Sequence, residues 1–376
     1  KVHERVAFDW SNNIKKLSLD TDTSNLFLKN GTAYEFMDNF KNENLSETFL
    51  SIAEEGFNGF YNGWVASDLI TKLNSIGGNH TLKDFSNAAA EWVEPIDGNY
   101  RGIKIHEAPP NSQGLVALII LAILERFNFN KISKADYTHI FCEATKIGYF
   151  LRDLYLADAE YNRLSVDHFL NSEIIDQYAS KIDMNKAKTY DKSDFPDHPD
   201  TIYLTVADKY GNMISLIQSN YRGMGSGMVP PGLGFMLQDR GEMFSLEEGH
   251  FNVYEPEKRP FHTIIPAFIT KDDEPYISFG LMGGAMQPQG HAQIVINLID
   301  FEMNLQEAGD APRIRHTSNQ QPTGGNMLDG GELSLESGFD YKEIRKLQKY
   351  GHKVIFSLGS FGGYQAIMFD KESGVY

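Results

Sequence analysis

Two groupings and one lone residue in this chain have the types that can do chemistry. Gly223-Met-Gly-Ser-Gly227 is glycine-rich enough to cradle a phosphate, but it follows an extended segment and no helix signal comes after it, so it reads as a flexible turn. His198-Pro-Asp200 offers an imidazole and a carboxylate, yet no third ligand is evident, and no metal site is expected. Cys142 is the single cysteine; it excludes an intrachain disulfide framework and lies in a helical pattern, where a buried structural thiol is expected. The sequence contains no GxSxG elbow, Walker loop, HExxH pair or cysteine cluster. Several familiar enzyme classes drop out.

The elements that must position any site fall into two regimes. Up to about Thr189 the pattern is mainly helical. Leu45, Phe49, Ile52 and Ala53 share one face of a helix that should stop at Gly56, where a left-handed cap costs least. Helices are also expected over 61–76, 113–127 and 137–156, the last with Ile140, Ala144, Ile147 and Leu151 along one stripe. From Tyr190 to Pro199 the chain is polar, holds two prolines and lacks either periodicity, which predicts an exposed, cleavable connector. Immediately afterwards Ile202, Leu204 and Val206 alternate with Tyr203, Thr205 and Ala207. Asp208-Lys-Tyr-Gly-Asn212 then supplies turn chemistry before Met213–Gln218 resumes an extended pattern. This is a hairpin whose first strand begins at Thr201. Further on, 275–281 reads as a strand running into Gly283-Gly284, 289–301 as a helix, and 353–357 with 365–370 as a closing pair of strands. Mixed elements in this order favour a layered α+β fold over a barrel.

Bulk properties narrow the partners. A chain of 376 residues, 41% hydrophobic and 23% charged, carries enough apolar material for a large core. The formal net charge of −17, with 34 Lys and Arg scattered rather than striped, argues against nucleic acid and acidic membranes as partners. The longest apolar run, Leu115–Leu124, is about half of what a bilayer span needs and reads as a core helix. Lys1–Asp9 shows no initiator methionine and no signal-peptide pattern, so the N-terminus reads as truncated. The compartment stays open, cytoplasmic or periplasmic in a bacterium.

The segment that opens the hairpin, Thr201-Ile-Tyr-Leu-Thr-Val-Ala-Asp208-Lys-Tyr-Gly-Asn212, resembles the stretch that begins the small subunit of γ-glutamyltransferases. Arg259-Pro-Phe-His-Thr-Ile-Ile-Pro266 and Gly280-Leu-Met-Gly-Gly284 fall at the spacings which that family uses for a substrate-contacting hydroxyl pair and for its oxyanion glycines. The likeness continues through Ile52-Ala-Glu-Glu-Gly56, Tyr100-Arg-Gly102, Pro109-Pro-Asn-Ser-Gln-Gly114 and Ala311-Pro-Arg313, so it spans nearly the whole chain from about residue 45 onward. It implies the four-layer αββα sandwich of N-terminal-nucleophile hydrolases, with residues 1–200 as part of a large subunit and 201–376 as the small subunit, together one structural domain. It also implies a cut between Asp200 and Thr201, no cofactor and no metal. The partners it implies are a small-molecule amide and the chain's own processed subunits, compatible with a homodimer of such heterodimers.

A threonine at a new chain start has a reason to be the nucleophile. Its free α-amine, with an unperturbed pKa of about 7.7 to 8.0, can take the hydroxyl proton, so one residue supplies both nucleophile and base. By resemblance, Ser219 assists near Thr201, and the N–H groups of Gly283 and Gly284 form the oxyanion hole.

Where the sequence departs from the family, the departures concern substrate. The position of the acidic residue that binds a substrate α-ammonium is Met243, with Glu242 next door expected to point elsewhere. Arg240 stands in place of a glutamine and Tyr221 in place of an asparagine, so the pocket has lost an anion and gained a cation. The strings Gln238-Asp-Arg-Gly241, Phe244-Ser-Leu246 and Pro260-Phe-His-Thr263 resemble the branch that includes oxamate amidohydrolase and cephalosporin acylases. In this reading Arg240 clamps a substrate carboxylate, and His262 and Thr263 line the same cavity. Two alternatives stand beside it: a genuine γ-glutamyl transpeptidase or glutathione hydrolase, and an uncleaved, catalytically silent homologue acting as a binding protein.

Overall fold

Asn42 starts the first long helix, α1 (Glu43–Glu55), by accepting a hydrogen bond from the Leu45 N–H at 3.0 Å, and Gly56 at φ 58° ends it where the spacing predicted. The next helix departs from expectation. Instead of running from residue 61, the chain makes a short helical turn over Phe57–Tyr61 and restarts as α2 (Trp64–Ser75), with Gly63 extended between them. Close packing causes the break. A Cβ at Gly59 would sit 2.2 Å from the Ser51 carbonyl oxygen, so the turn can press against α1 only because residue 59 has no side chain.

The computed structural model describes residues 1–162, 164–189, 199–317, 329–357 and 359–376. Residues 190–198 of the polar connector, with His198, lie outside the described residues, and Pro199 already belongs to the strand that follows. Contacts divide the chain into two units: a smaller one of residues 1–92 with 220–239, holding α1 and α2, and a larger one of residues 93–219 with 240–376. In the smaller unit the Gly223–Gly227 turn faces a cation, not an anion. Lys16 Nζ donates to the carbonyls of Gly223, at 2.9 Å, and Gly225. A phosphate cradle needs N–H groups pointing inward, so this geometry has the opposite polarity.

The larger unit is built on a five-stranded antiparallel sheet in the order β1 (Ile96–Tyr100), β2 (Ile103–Glu107), β5 (Ala267–Lys271), β6 (Glu274–Met282) and β10 (Gly363–Met368). On one face lie α3 (Gly114–Leu124), α4 (Lys134–Tyr155) and α5 (Gln287–Ile299). The apolar run seen in the sequence is α3, in which every residue but Ala122 is buried, as a helix packed on several sides must be. No helix among the described residues is long and apolar enough to cross a membrane. Ser133 and Asp136 form a capping box that starts α4, and Asp136 also accepts from Lys346 and Tyr350, which holds its carboxyl down at about 2. Cys142 is buried in α4, where desolvation pushes its thiol far up and keeps it inert.

On the opposite face the hairpin β3 (Pro199–Ala207) and β4 (Met213–Arg222) packs through β3 against β6 and β10. The helix, sheet and hairpin thus stack as α–β–β, the core of the expected αββα sandwich. The hairpin's other face, with Ile202, Leu204, Val206, Ile214 and Leu216, is exposed. Side chains bind hairpin to sheet. Thr205 Oγ1 and Ser278 Oγ lie 2.7 Å apart, Ser278 Oγ donates to the Ile214 carbonyl at 3.0 Å, and the ring of Tyr203 fills the space above Gly280. A Cβ on Gly280 would stand 2.3 Å from that ring. Gly280→Ala is therefore expected to lower stability by about 1–3 kcal/mol through overpacking. Urea unfolding would check it, and an unchanged midpoint would mean the hairpin does not depend on this contact.

The closing strands are not a pair. Residues 353–356 form β9, which joins β8 (Glu332–Leu335) in parallel within a separate sheet ordered β7 (Ile314–Thr317), β8, β9, whereas β10 pairs with β6. Two short strands around a glycine-rich link resemble a hairpin in sequence. Here Gly359 and Gly362, both at positive φ, lie in a link between two sheets instead.

Candidate active site

Thr201 stands near the start of β3, 4% exposed, with Oγ1 2.9 Å from Ser219 Oγ on the neighbouring strand. Either hydroxyl can be the donor. Beside β3 lies the turn that follows β6, where Gly283 at φ 138° and Gly284 at φ 55° adopt conformations that side chains disfavour. The Gly283 carbonyl accepts from the Met286 N–H at 2.9 Å. Two further donors fix the turn: Gln113 Nε2 reaches the Gly284 carbonyl at 2.9 Å, and the Tyr149 hydroxyl bonds to the Ala285 carbonyl. Burial pushes the Tyr149 phenol up to about 12, so it remains a donor at any ordinary pH. Each tied carbonyl fixes the plane of its peptide, and so the direction of the N–H groups at the turn.

Gln113 links this turn to the residues expected to contact substrate. The same Nε2 donates to the Thr263 carbonyl at 2.7 Å, and Thr263 Oγ1 accepts from Arg240 Nη1 at 2.9 Å. Arg240 is buried, as is Met243 in the same short turn, while Glu242 is exposed. His262 hangs from the strand-like segment beside Asn111, its N–H donating to the Asn111 carbonyl at 3.1 Å, and its ring Nδ1 has no hydrogen-bond partner among the described residues. Tyr221 is buried at φ 78° and is counted with the smaller unit.

Sequence reasoning did not assign Gln113 or Tyr149. Gln113 lay inside the quoted Pro109–Gly114 motif, but a lone glutamine before an apolar helix looks like an N-terminal flank. Tyr149 lies in the expected helix 137–156 but off its stripe of Ile140, Ala144, Ile147 and Leu151, where a single tyrosine carries no sign of a partner.

One cluster has the composition of a metal site. His139 and Glu143, one turn apart on α4, and His352 bring potential ligand atoms within 4.8 Å of one another, all buried. The cluster carries its own cation. Lys146 Nζ lies 2.7 Å from Glu143 Oε1 and donates to the Lys188 carbonyl at 2.8 Å, so an ammonium already balances the carboxylate. A divalent ion added there would face that charge at short range in a dry interior.

Two other buried histidines set an acid limit on the fold. Burial, with Arg240 and Arg259 nearby, holds His262 down at about 3, and burial beside Lys146 does the same for His316. Both rings are neutral in the folded protein down to that range, whereas in the unfolded chain they take up protons near 6.5. The unfolded state therefore binds more protons as pH falls, and the stability present above about 6.5 drains away towards 3, by up to about 1.4 kcal/mol per pH unit for each histidine. Thermal melts from pH 7 to pH 5 should show this fall, and His316→Gln should make it shallower than in the unmodified protein. Parallel slopes in the two would show that His316 contributes no such term.

Comparison with known proteins places this geometry. The gamma-glutamyltranspeptidase family model matches residues 1–376. The chain belongs to the γ-glutamyltranspeptidase family. It is 35% identical over 344 residues to the glutathione hydrolase-like YwrD proenzyme of Bacillus subtilis, covering 91% of this chain and 64% of that protein. It is 32% identical over 317 residues to the oxamate amidohydrolase proenzyme of Klebsiella pneumoniae, covering 84% of this chain and 58% of the relative. The chain thus spans less than two thirds of either relative's length. A crystal structure of cephalosporin acylase from Bacillus halodurans superposes with a TM-score of 0.89 at 37% identity, over 99% of this chain and 68% of that one. The fold expected from the sequence, mixed α and β in the manner of N-terminal-nucleophile hydrolases, is therefore the fold of this family member.

Proposed function

We propose that the protein is a self-processing amide hydrolase whose nucleophile is Thr201. The observation that carries the reading is the pairing of Thr201 Oγ1 with Ser219 Oγ beside a glycine turn whose carbonyls are tied back by side chains. In the uncut chain Thr201 Oγ1 attacks the Asp200 carbonyl carbon, the peptide nitrogen leaves as the threonine α-amine, and water hydrolyses the resulting ester. The products are residues 1–200 and a second piece starting at Thr201. In turnover the hydroxyl attacks a substrate amide, its proton passes to the α-amine, and the Gly283 and Gly284 N–H groups take the oxyanion charge. The amine product leaves with a proton, and water releases the acyl group from the ester.

The substrate reading rests on the buried Met243 and Arg240. Met243 puts an uncharged side chain where an anion would pair with an α-ammonium, and a buried guanidinium near Thr263 favours an acyl group that bears a carboxylate. Denaturing electrophoresis with intact mass and N-terminal sequencing tests the mechanism. Two pieces, one beginning Thr-Ile-Tyr-Leu, should appear and should be absent from Thr201→Ala. A protein that remains one chain would overturn the mechanism and favour a silent binding homologue. Hydrolysis of a dicarboxylate monoamide should exceed that of a γ-glutamyl anilide with an acceptor dipeptide present, and the reverse order would make the protein a genuine transpeptidase.

A further inference from the structure

The strand that delivers Gly283 and Gly284 outruns its neighbour. β5 pairs with β6 as far as Ala267 opposite Phe279, so on that side Leu281, two residues before the turn, has no strand to bond to. A side chain takes the strand's place. The Leu281 N–H donates to Nε2 of His291 on α5 at 3.2 Å. A nitrogen that accepts carries no proton, so the ring proton is on Nδ1, where it donates to Glu107 Oε1 at the end of β2, 2.8 Å away. Both side chains are completely buried, and Glu107 Oε2 has no partner among the described residues. The Phe279 ring lies 5.1 Å from the imidazole, and Gly114 of α3 comes close to the Glu107 Cβ. Tyr203 on β3 is the titratable group that senses the Glu107 charge. An ionised carboxylate here would leave one oxygen bare in a dry interior, and burial raises the Glu107 carboxyl above the usual range.

We propose that Glu107 and His291 are positioning residues for the Gly283–Gly284 turn: Glu107 fixes the tautomer with which His291 grips the Leu281 N–H, and that grip sets where the turn's N–H groups point. The functional part rests on the reading of this turn as the oxyanion hole. The grip on Leu281 accounts for a neutral imidazole and a carboxyl in a position where an aliphatic pair would fill the same space at lower cost.

Two variants separate the grip from mere packing. In His291→Gln the amide oxygen can stand where Nε2 was and keep the Leu281 N–H satisfied; in His291→Asn the shorter side chain keeps the Glu107 contact and drops Leu281. His291→Asn removes one methylene more from the core than His291→Gln, so its Tm should fall further. Hydrogen exchange read by mass spectrometry on the full-length protein should show faster exchange over residues 281–284 in His291→Asn, out of proportion to the rest of the sheet, and not in His291→Gln. With a substrate that the unmodified protein hydrolyses, kcat should fall about ten- to a hundredfold in His291→Asn with KM unchanged, and should be largely retained in His291→Gln, the size expected for a misdirected oxyanion donor. In Glu107→Gln, which keeps an uncharged acceptor for the ring, exchange over residues 281–284 should stay at the unmodified rate. Equal exchange in the two His291 variants would overturn the proposal whatever the activity, as would faster exchange with kcat unchanged. An unmodified protein with no amidase activity would instead overturn the functional reading, and the exchange data would still decide the grip.

Discussion

Thr201→Ala should remove both self-cleavage and amide hydrolysis while leaving the fold in place. The threonine is buried, but among the described residues its hydroxyl makes one neutral contact, with Ser219, so its loss costs about 1 kcal/mol of stability and shifts Tm by only a few degrees. The chemical loss is of another size. The Ser219 hydroxyl cannot take over, since the proton-accepting amine belongs to the residue that carries the nucleophile. Removing such a nucleophile lowers kcat on the order of 10⁴-fold or more, down to what binding and oxyanion stabilisation alone provide. Thr201→Ser keeps both functions and should still cleave, more slowly, because without the methyl group the hydroxyl samples more rotamers. Single-turnover assays with intact mass would show an acyl adduct on the piece that begins at residue 201. An alanine variant that cleaves or turns over at the unmodified rate would assign the nucleophile elsewhere.

The hairpin that presents Thr201 was legible because strand periodicity and a five-residue turn both pointed to it, and the structure extends it only at its ends, Pro199–Ala207 and Met213–Arg222. The helix cap at Gly56 and the core helix 114–124 were legible for the same reason: local pattern and local structure agreed. What could not be read was anything decided by partners far along the chain. Residues 353–356 and 363–368 carry equally good strand patterns, and only β8 and β6, distant in sequence, separate them into two sheets. Gln113 is a similar case, because its importance lies in two carbonyls 150 and 171 residues away. Glu107 and His291, 184 residues apart, could not be paired from one sequence at all. The resemblance to a family supplied the glycine turn and the residues around Arg240, but not the second layer of side chains that holds them.

Gly283→Ala should be the most damaging change outside the nucleophile. Its φ of 138° lies in a region that residues with a Cβ rarely enter, and holding alanine there costs of order 1–3 kcal/mol. Space is short as well. An added Cβ would meet the Cα of Gly362 at 3.1 Å, and backbone cannot swing aside as a flexible side chain would. Gly362 is itself pinned, since Arg313 donates to its carbonyl at 2.6 Å while its fork holds Glu336 through Nε and Nη2. The turn must therefore yield. Its carbonyls are tied at Gly283, Gly284 and Ala285, so rotation concentrates in the peptide between residues 282 and 283, whose N–H is one of the two that the proposed mechanism aims at the oxyanion. Misaiming one such donor costs about 10²- to 10³-fold in kcat, with little change in KM because the charge it meets develops only in the transition state. Self-cleavage passes through the same kind of tetrahedral carbon and should slow in proportion if one oxyanion hole serves both reactions. A variant that cleaves at the normal rate but turns over slowly would show that the two reactions use different donors. A variant normal in both would show that this turn is a scaffold and that the oxyanion is held elsewhere.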